Sequence, residues 1–111
     1  MKRNRLHNKQ VDIGGILYTF KYRKAKRVKG KQDLTVRGEI DFDKRVIEIE
    51  KGLAPSEETS VIIHEIMHGV LDAFIPAHIL DAGDKVEELI VGPAARILAG
   101  ALRSAKLLNE N

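Results

Sequence analysis

The chain has 111 residues, 43% of them hydrophobic and 32% charged, a formal net charge of +3 and no cysteine. That length suits one domain, residues 1–111, with one modest core, and the lack of cysteine excludes disulfides, thiolate zinc sites and thiol nucleophiles. No apolar run approaches the roughly 18 residues of a membrane span, and no apolar segment follows the basic start MKRNRLHNKQ, so the expectation is a cytoplasmic protein with no membrane partner and no secretory leader.

Residues 1–10 are polar and read as a loose basic arm. Residues 1–31 carry eleven Lys or Arg against one acid, Asp12, whereas residues 32–111 carry eight against fifteen. A basic front section suits an acidic or nucleic-acid partner. It suits better a solvated arm and strand edge guarded by lysines, because its few aromatics offer little for base stacking and it carries no recognised nucleic-acid motif. Val11 to Ile13, the Gly14-Gly15 turn and Ile16 to Tyr22 form a hairpin pattern. Ile16, Tyr18 and Phe20 alternate with Leu17, Thr19 and Lys21, as in a strand with one buried face. Arg23 to Gln32 is too charged for a core and reads as an exposed loop.

A second hairpin follows. Leu34, Val36, Ile40 and Phe42 fall on one strand, Asp43-Lys44 on its turn, and Val46, Ile47 and Ile49 on the next. In that last strand Ile47 and Ile49 share one face and Glu48 and Glu50 the other. Ser56 is placed to cap a helix, with Glu57 and Glu58 in its first turn, where the helix dipole favours acids. The helix extends to about Phe74 and stops at Ile75-Pro76. A last helix covers about Lys85 to Leu108, with a kink or break expected at Gly92-Pro93. Strands first and helices after argue an α+β domain, a small and largely antiparallel sheet backed by two helices.

The first helix contains His64-Glu65-Ile66-Met67-His68, the pattern HExxH. Residues four apart on a helix share a face, so the two imidazoles can converge on one ion. Glu65 is one position round, beside the ion, where it suits a base acting on the attacking water. Val61, Ile62, Ile63, Ile66, Met67, Val70, Leu71 and Phe74 make the helix apolar nearly all round, hence buried. Histidines and a glutamate buried there are costly without partners, and a zinc ion is such a partner.

A catalytic zinc needs a third protein ligand. Leu71 and Phe74 stand where a metzincin would carry glycine and histidine, which excludes that class. His78, Asp81, Asp84, Glu87 and Glu88 lie downstream. Glu87 is the choice, because it joins the stripe Glu87, Ile90, Ala94, Ile97 and Ala101, read as the buried face; Glu88 falls roughly 100° away, toward solvent. Glu88 and His78 stay open as alternatives. Asp72, four residues after His68, could orient an imidazole.

These residues resemble the gluzincins. The likeness is to minimal HExxH zinc peptidases (minigluzincins) and to small phage-encoded proteins related to the ImmA/IrrE peptidases. It rests on Val11-Asp12-Ile13-Gly14-Gly15-Ile16, on Gly38-Glu39-Ile40-Asp41 with Ile47-Glu48-Ile49, and on His64 to His68 with the Glu87-Glu88 helix. The resemblance implies a zincin-like fold, Zn2+ held by His64, His68 and a glutamate, Glu65 as general base, and a cleft strand that pairs with an extended protein or peptide substrate.

Two function classes follow. One is a zinc metallopeptidase, with Glu65 as proton carrier and Tyr18, Tyr22 or His78 as candidates for oxyanion stabilisation. The other is a catalytically silent or latent zinc-binding protein of the same fold that acts by binding protein or nucleic acid.

Overall fold

The computed structural model describes residues 4–27, 35–74 and 84–107. β1 (Gln10–Ile13) and β2 (Ile16–Arg23) form the expected hairpin, with Ile13 opposite Ile16 and Gln10 opposite Thr19. The Gly15 amide closes the turn by donating to Asp12 Oδ1 at 2.7 Å. β3 (Lys26–Arg27) and β4 (Thr35–Val36) pair as a separate two-stranded ribbon. The run 23–32 is therefore not all loop, and the single strand expected through Phe42 is two. The chain changes sheet at Arg37 and continues as β5 (Gly38–Asp41).

β5 and β6 (Val46–Glu50) are antiparallel. In the turn between them, Asp41 Oδ1 accepts from the amides of Asp43 and Lys44, and Arg45 takes φ +57°. The sheet order is β1-β2-β6-β5. Its outer pairs are antiparallel, but the central pair, β2 with β6, is parallel. The intervening ribbon and hairpin return the chain to the end of the sheet from which β2 departs.

Strand alternation builds the core. Tyr18, Phe20 and Tyr22 of β2 point inward beside Ile47 and Ile49 of β6, both fully buried. The opposite face carries the charged residues, where Arg23 meets Glu39 and Glu48, and Lys26 meets Glu39. Several basic groups of the front section thus face acids of the same chain. Residues 4–9, expected as a loose arm, are tied down: the Asn8 amide donates to Phe20 O, the Phe20 amide to Lys9 O, and the Tyr22 amide to His7 Nδ1. Leu6 packs against the core.

α1 (Pro55–Phe74) crosses the inner face of the sheet. It begins one residue before the expected cap. Pro55 occupies the first helical position, where a missing N–H costs nothing, and the Glu58 amide donates to Ala54 O. α1 is buried on two sides, as its all-round apolar pattern requires: Ile62 and Ile66 face the sheet, and Ile63 and Met67 face α2 (Asp84–Ser104). Gly69 lets helix and sheet approach, because a Cβ there would lie 2.9 Å from Ile13 Cδ1. The Ile75-Pro76 stop, His78 and Asp81 lie outside the described residues.

α2 runs unbroken through Pro93, against the expected interruption. Pro93 is exposed, on the side where water can take the carbonyl that proline leaves without a donor. The buried stripe also differs from the one expected. It is Val91, Ala95 and Ala99, with Leu102, whereas Ile90 and Ile97 are 47% and 73% exposed. Ala95 and Ala99 sit at the contact with α1, and Leu89, Ile90, Ile97 and Leu98 face outward. Among the described residues, no helix is long and apolar enough to cross a membrane.

One clamp joins sheet and helix. Tyr22 donates its hydroxyl to Glu58 Oε1 at 2.7 Å, and Arg5 approaches the same oxygen. Burial and this hydrogen bond push the Tyr22 phenol up to about 12. A raised phenol favours the neutral form in the folded state, so this stabilisation is complete below the ordinary value of 10.0 and disappears as pH climbs through about 12. We expect Tyr22→Phe to lower stability at neutral pH by about 1 kcal/mol in chemical denaturation. Absorbance titration of the folded wild type should place one phenolate near pH 12; two tyrosines titrating together near pH 10 would contradict the clamp.

Candidate metal centre

The centre lies where α1, α2 and β5 meet. One turn of α1 separates His64 from His68, and the rings face each other with Nε2 atoms 3.3 Å apart. From α2, Glu88 reaches the same point: its Oε1 is 2.6 Å from His68 Nε2 and its Oε2 is 3.5 Å from His64 Nε2. His64, His68 and Glu88 form a group able to hold a metal ion. A tetrahedral ion with ligands at ~2.0–2.1 Å has ligand atoms about 3.3 Å apart. The His64–His68 and His64–Glu88 spacings fit that edge, and the two-imidazole, one-carboxylate donor set suits zinc.

Glu87, the sequence choice for third ligand, takes a different place. Its Oε1 lies 3.0 Å from Nδ1 of His68, the ring nitrogen turned away from His64. An Nδ1–H donated to Glu87 leaves the Nε2 lone pair directed at the shared point, the arrangement by which an outer carboxylate fixes a ligand imidazole. Glu88 is exposed, as expected, and Glu87 is the less exposed of the two. It is nevertheless Glu88, one turn before the buried Val91, whose carboxylate converges with both histidines. The bulk of Ile90 and Ile97 drew the sequence reading to a neighbouring stripe. Asp72 is exposed and influences Tyr18 instead of either histidine.

Glu65 is 93% buried, with its side chain beside His64 in the cleft floor. Burial pushes its carboxyl up to about 7; His68 acts against this, and Glu88 and Glu39 add to it. For His68, burial alone would depress the imidazole, but the hydrogen bond to Glu87 and the charges of Glu65, Glu88 and Glu87 outweigh it and the net direction is up. The cluster therefore attracts protons, and by the same physics a divalent cation.

A cleft of about 510 Å³ opens over this cluster, lined by Gly38, Glu39, Ile40, His64, Glu65, His68, Glu87 and Glu88. Gly38 is required by space. A Cβ there would lie 2.4 Å from Val61 Cγ1 and 3.2 Å from Glu65 Cγ, so a side chain at 38 would push β5 off α1 and disturb Glu65. Tyr18 and Tyr22, expected as oxyanion candidates, are buried in the sheet core away from this lining. Sequence reasoning named Gly38 only as part of the stretch that carries the resemblance and gave it no role; the signal for this one was a glycine inside a strand, which marks close backbone approach.

An α+β sandwich with an HExxH helix against the sheet, and a second helix bringing a glutamate to the histidines, is a small zincin-like domain. The family model described as IrrE N-terminal-like domain (Peptidase M78) matches residues 19–103, from within β2 to the last turn of α2, and the chain belongs to that family. No curated protein and no solved structure matches the chain. The family is one of peptidase-like zinc proteins.

The geometry predicts a ranking of zinc affinities by competition titration. His64→Ala and His68→Ala remove binding, and Glu88→Gln weakens it strongly. Glu87→Gln weakens it less, by about 10–100-fold, as loss of an orienting partner does. If Glu87→Gln abolishes binding and Glu88→Gln leaves it intact, Glu87 is the ligand.

Proposed function

We propose that this chain is a zinc-dependent peptidase, with zinc held by His64, His68 and Glu88, Glu87 orienting His68, and Glu65 as the general base. The observation that carries the reading is the convergence of both Nε2 atoms and the Glu88 carboxylate in an open cleft whose floor holds a buried carboxylate. A closed structural site would need no such neighbour and no such opening. Membership of the family supports the same class.

Bound zinc supplies Lewis acidity toward water and toward a scissile carbonyl. The protein residues do the rest. Glu87 holds the His68 ring in one tautomer. Glu65 takes a proton from the attacking water and delivers it to the departing amine nitrogen, so one carboxylate serves as base and then as acid. Burial raises the affinity of that carboxyl for a proton, and a cation beside it acts in the opposite sense. Gly38 keeps the β5 backbone low, so an extended chain can lie between β5 and α1 over Glu65. β5 is an edge strand whose outer side β6 does not pair, which suits main-chain hydrogen bonding to such a substrate.

Glu65→Gln should keep zinc at wild-type stoichiometry and reduce cleavage of a casein or peptide-library substrate by about 10²-fold or more. A chelator should abolish wild-type cleavage and zinc restore it. Zinc-loaded wild type that cleaves nothing, with the same metal content, would favour the latent zinc-binding reading instead.

A further inference from the structure

The solvent side of α2 lacks the charge that a surface helix normally carries. Leu89 and Ile97 are 75% and 73% exposed, and Ile90, Pro93, Gly100 and Ser104 are exposed beside them. At roughly 100° per residue these positions fall on one side of the helix, opposite the buried stripe of Val91, Ala95 and Ala99. The charged residues of the same stretch, Arg96 and Arg103, both fall on one flank. A helix at the surface of a monomer sets charged side chains opposite its buried stripe, and one that is apolar on both sides is covered on both. α1 obeys that rule in this chain, with the sheet on one side and α2 on the other.

The pattern identifies the kind of partner. Ile90, Pro93, Ile97, Gly100 and Ser104 are separated alternately by three and four residues, the spacing of a seam between two packed helices. Along that seam size is graded. Leu89 and Ile90 are bulky, whereas Gly100, Ala101 and Ser104, toward the other end, are small. A second α2 laid antiparallel on the first, with the two-fold axis at Ile97, sets Ile90 of each copy over Ser104 of the other and Pro93 over Ala101. Bulk then meets space at both ends, and one self-complementary contact closes the assembly at two copies. The seam from Leu89 to Ser104 is about 24 Å long, on a helix about 10–12 Å across. A strip of that size falls below the roughly 800 Å² per partner of long-lived interfaces, so the pairing is reversible, with a Kd of about micromolar or weaker.

We propose that the outer face of α2 is a self-association surface, and that two copies of this chain pair through it as an antiparallel two-fold dimer. Leu89 and Ile90 directly follow Glu87 and Glu88 in the helix, so the contact braces the turn of α2 that carries the acids of the metal centre. The pairing does not depend on the peptidase reading.

Sedimentation equilibrium of the full-length, zinc-loaded protein over about 5–500 μM, the range of weak pairing, tests it. The weight-average mass should climb from 12.4 kDa toward twice that value. Ile97→Glu, at a position exposed in the single chain, should hold the mass at that of one chain throughout, with the circular dichroism of the fold unchanged. Leu17→Glu, which charges an exposed leucine of β2 instead, should dimerise as the wild type does. The chain has no cysteine, so Ile97→Cys gives a second readout. Oxidation should link two copies through that position on the axis, whereas Leu17→Cys at the same concentration should stay unlinked. A wild type that remains a single chain at the highest concentration overturns the surface. So does association that Ile97→Glu leaves intact, or that proceeds beyond two copies. A single-chain wild type that sediments with anionic phospholipid vesicles, and loses them on Ile97→Glu, would assign the face to a membrane instead.

Discussion

The structure depends on one costly arrangement: two imidazoles and three carboxylates gathered in the crevice between α1, α2 and β5. Removing such groups from water is unfavourable unless each finds a partner, and here the acids outnumber the bases. The direction of the shifts at Glu65 and His68 expresses that imbalance, since both take up protons more readily than they would in water. A divalent cation reverses the sign of the local problem. For a chain of 111 residues, with limited surface to bury, metal binding would then contribute to folding as well as to chemistry.

The rest of the fold holds that crevice at the right width. On the sheet side, Ile47, Ile49 and the three inward aromatics of β2 give α1 a flat apolar bed, and Gly38 and Gly69 let backbone approach helix where a side chain would hold them apart. On the other side, Ala95 and Ala99 let α2 settle against Ile63 and Met67. The clamps sit near the start of α1: Tyr22 fixes it to the sheet through Glu58, and Arg103 fixes the end of α2 to Ser56 and Ser60. Tied there, the two helices bring their other ends, with His68 and Glu88, to a fixed meeting point.

Much of this was legible in the residues. Alternation in β2 and β6 announced which side chains enter the core, because a strand admits only two faces. HExxH, set in a helix apolar all round, announced the site, because two imidazoles one turn apart share a face and can converge on one ion. The parallel pairing of β2 with β6 was not legible; local patterns do not say to which distant strand a strand returns. Pro93 misled because a proline on the exposed side of a helix loses its hydrogen bond to water at little cost. The face of α2 misled because hydrophobic bulk and burial diverge there: the packing needs small residues at the contact, so alanines are buried while Ile90 and Ile97 are exposed.

Helical spacing also accounts for what two consecutive acids do here. Adjacent helical residues point roughly 100° apart, so a single carboxylate approaching from α2 could meet only one edge of the His68 ring. Glu87 and Glu88 straddle it. One takes Nδ1 at 3.0 Å and the other lies 2.6 Å from Nε2. A proton held on Nδ1 by the first contact would leave Nε2, with the second acid beside it, to a cation. Neither acid can do both, since the two nitrogens lie on different edges of the ring. The Glu-Glu pair thus meets both edges of one imidazole, and Glu88 is the acid on the edge that faces His64.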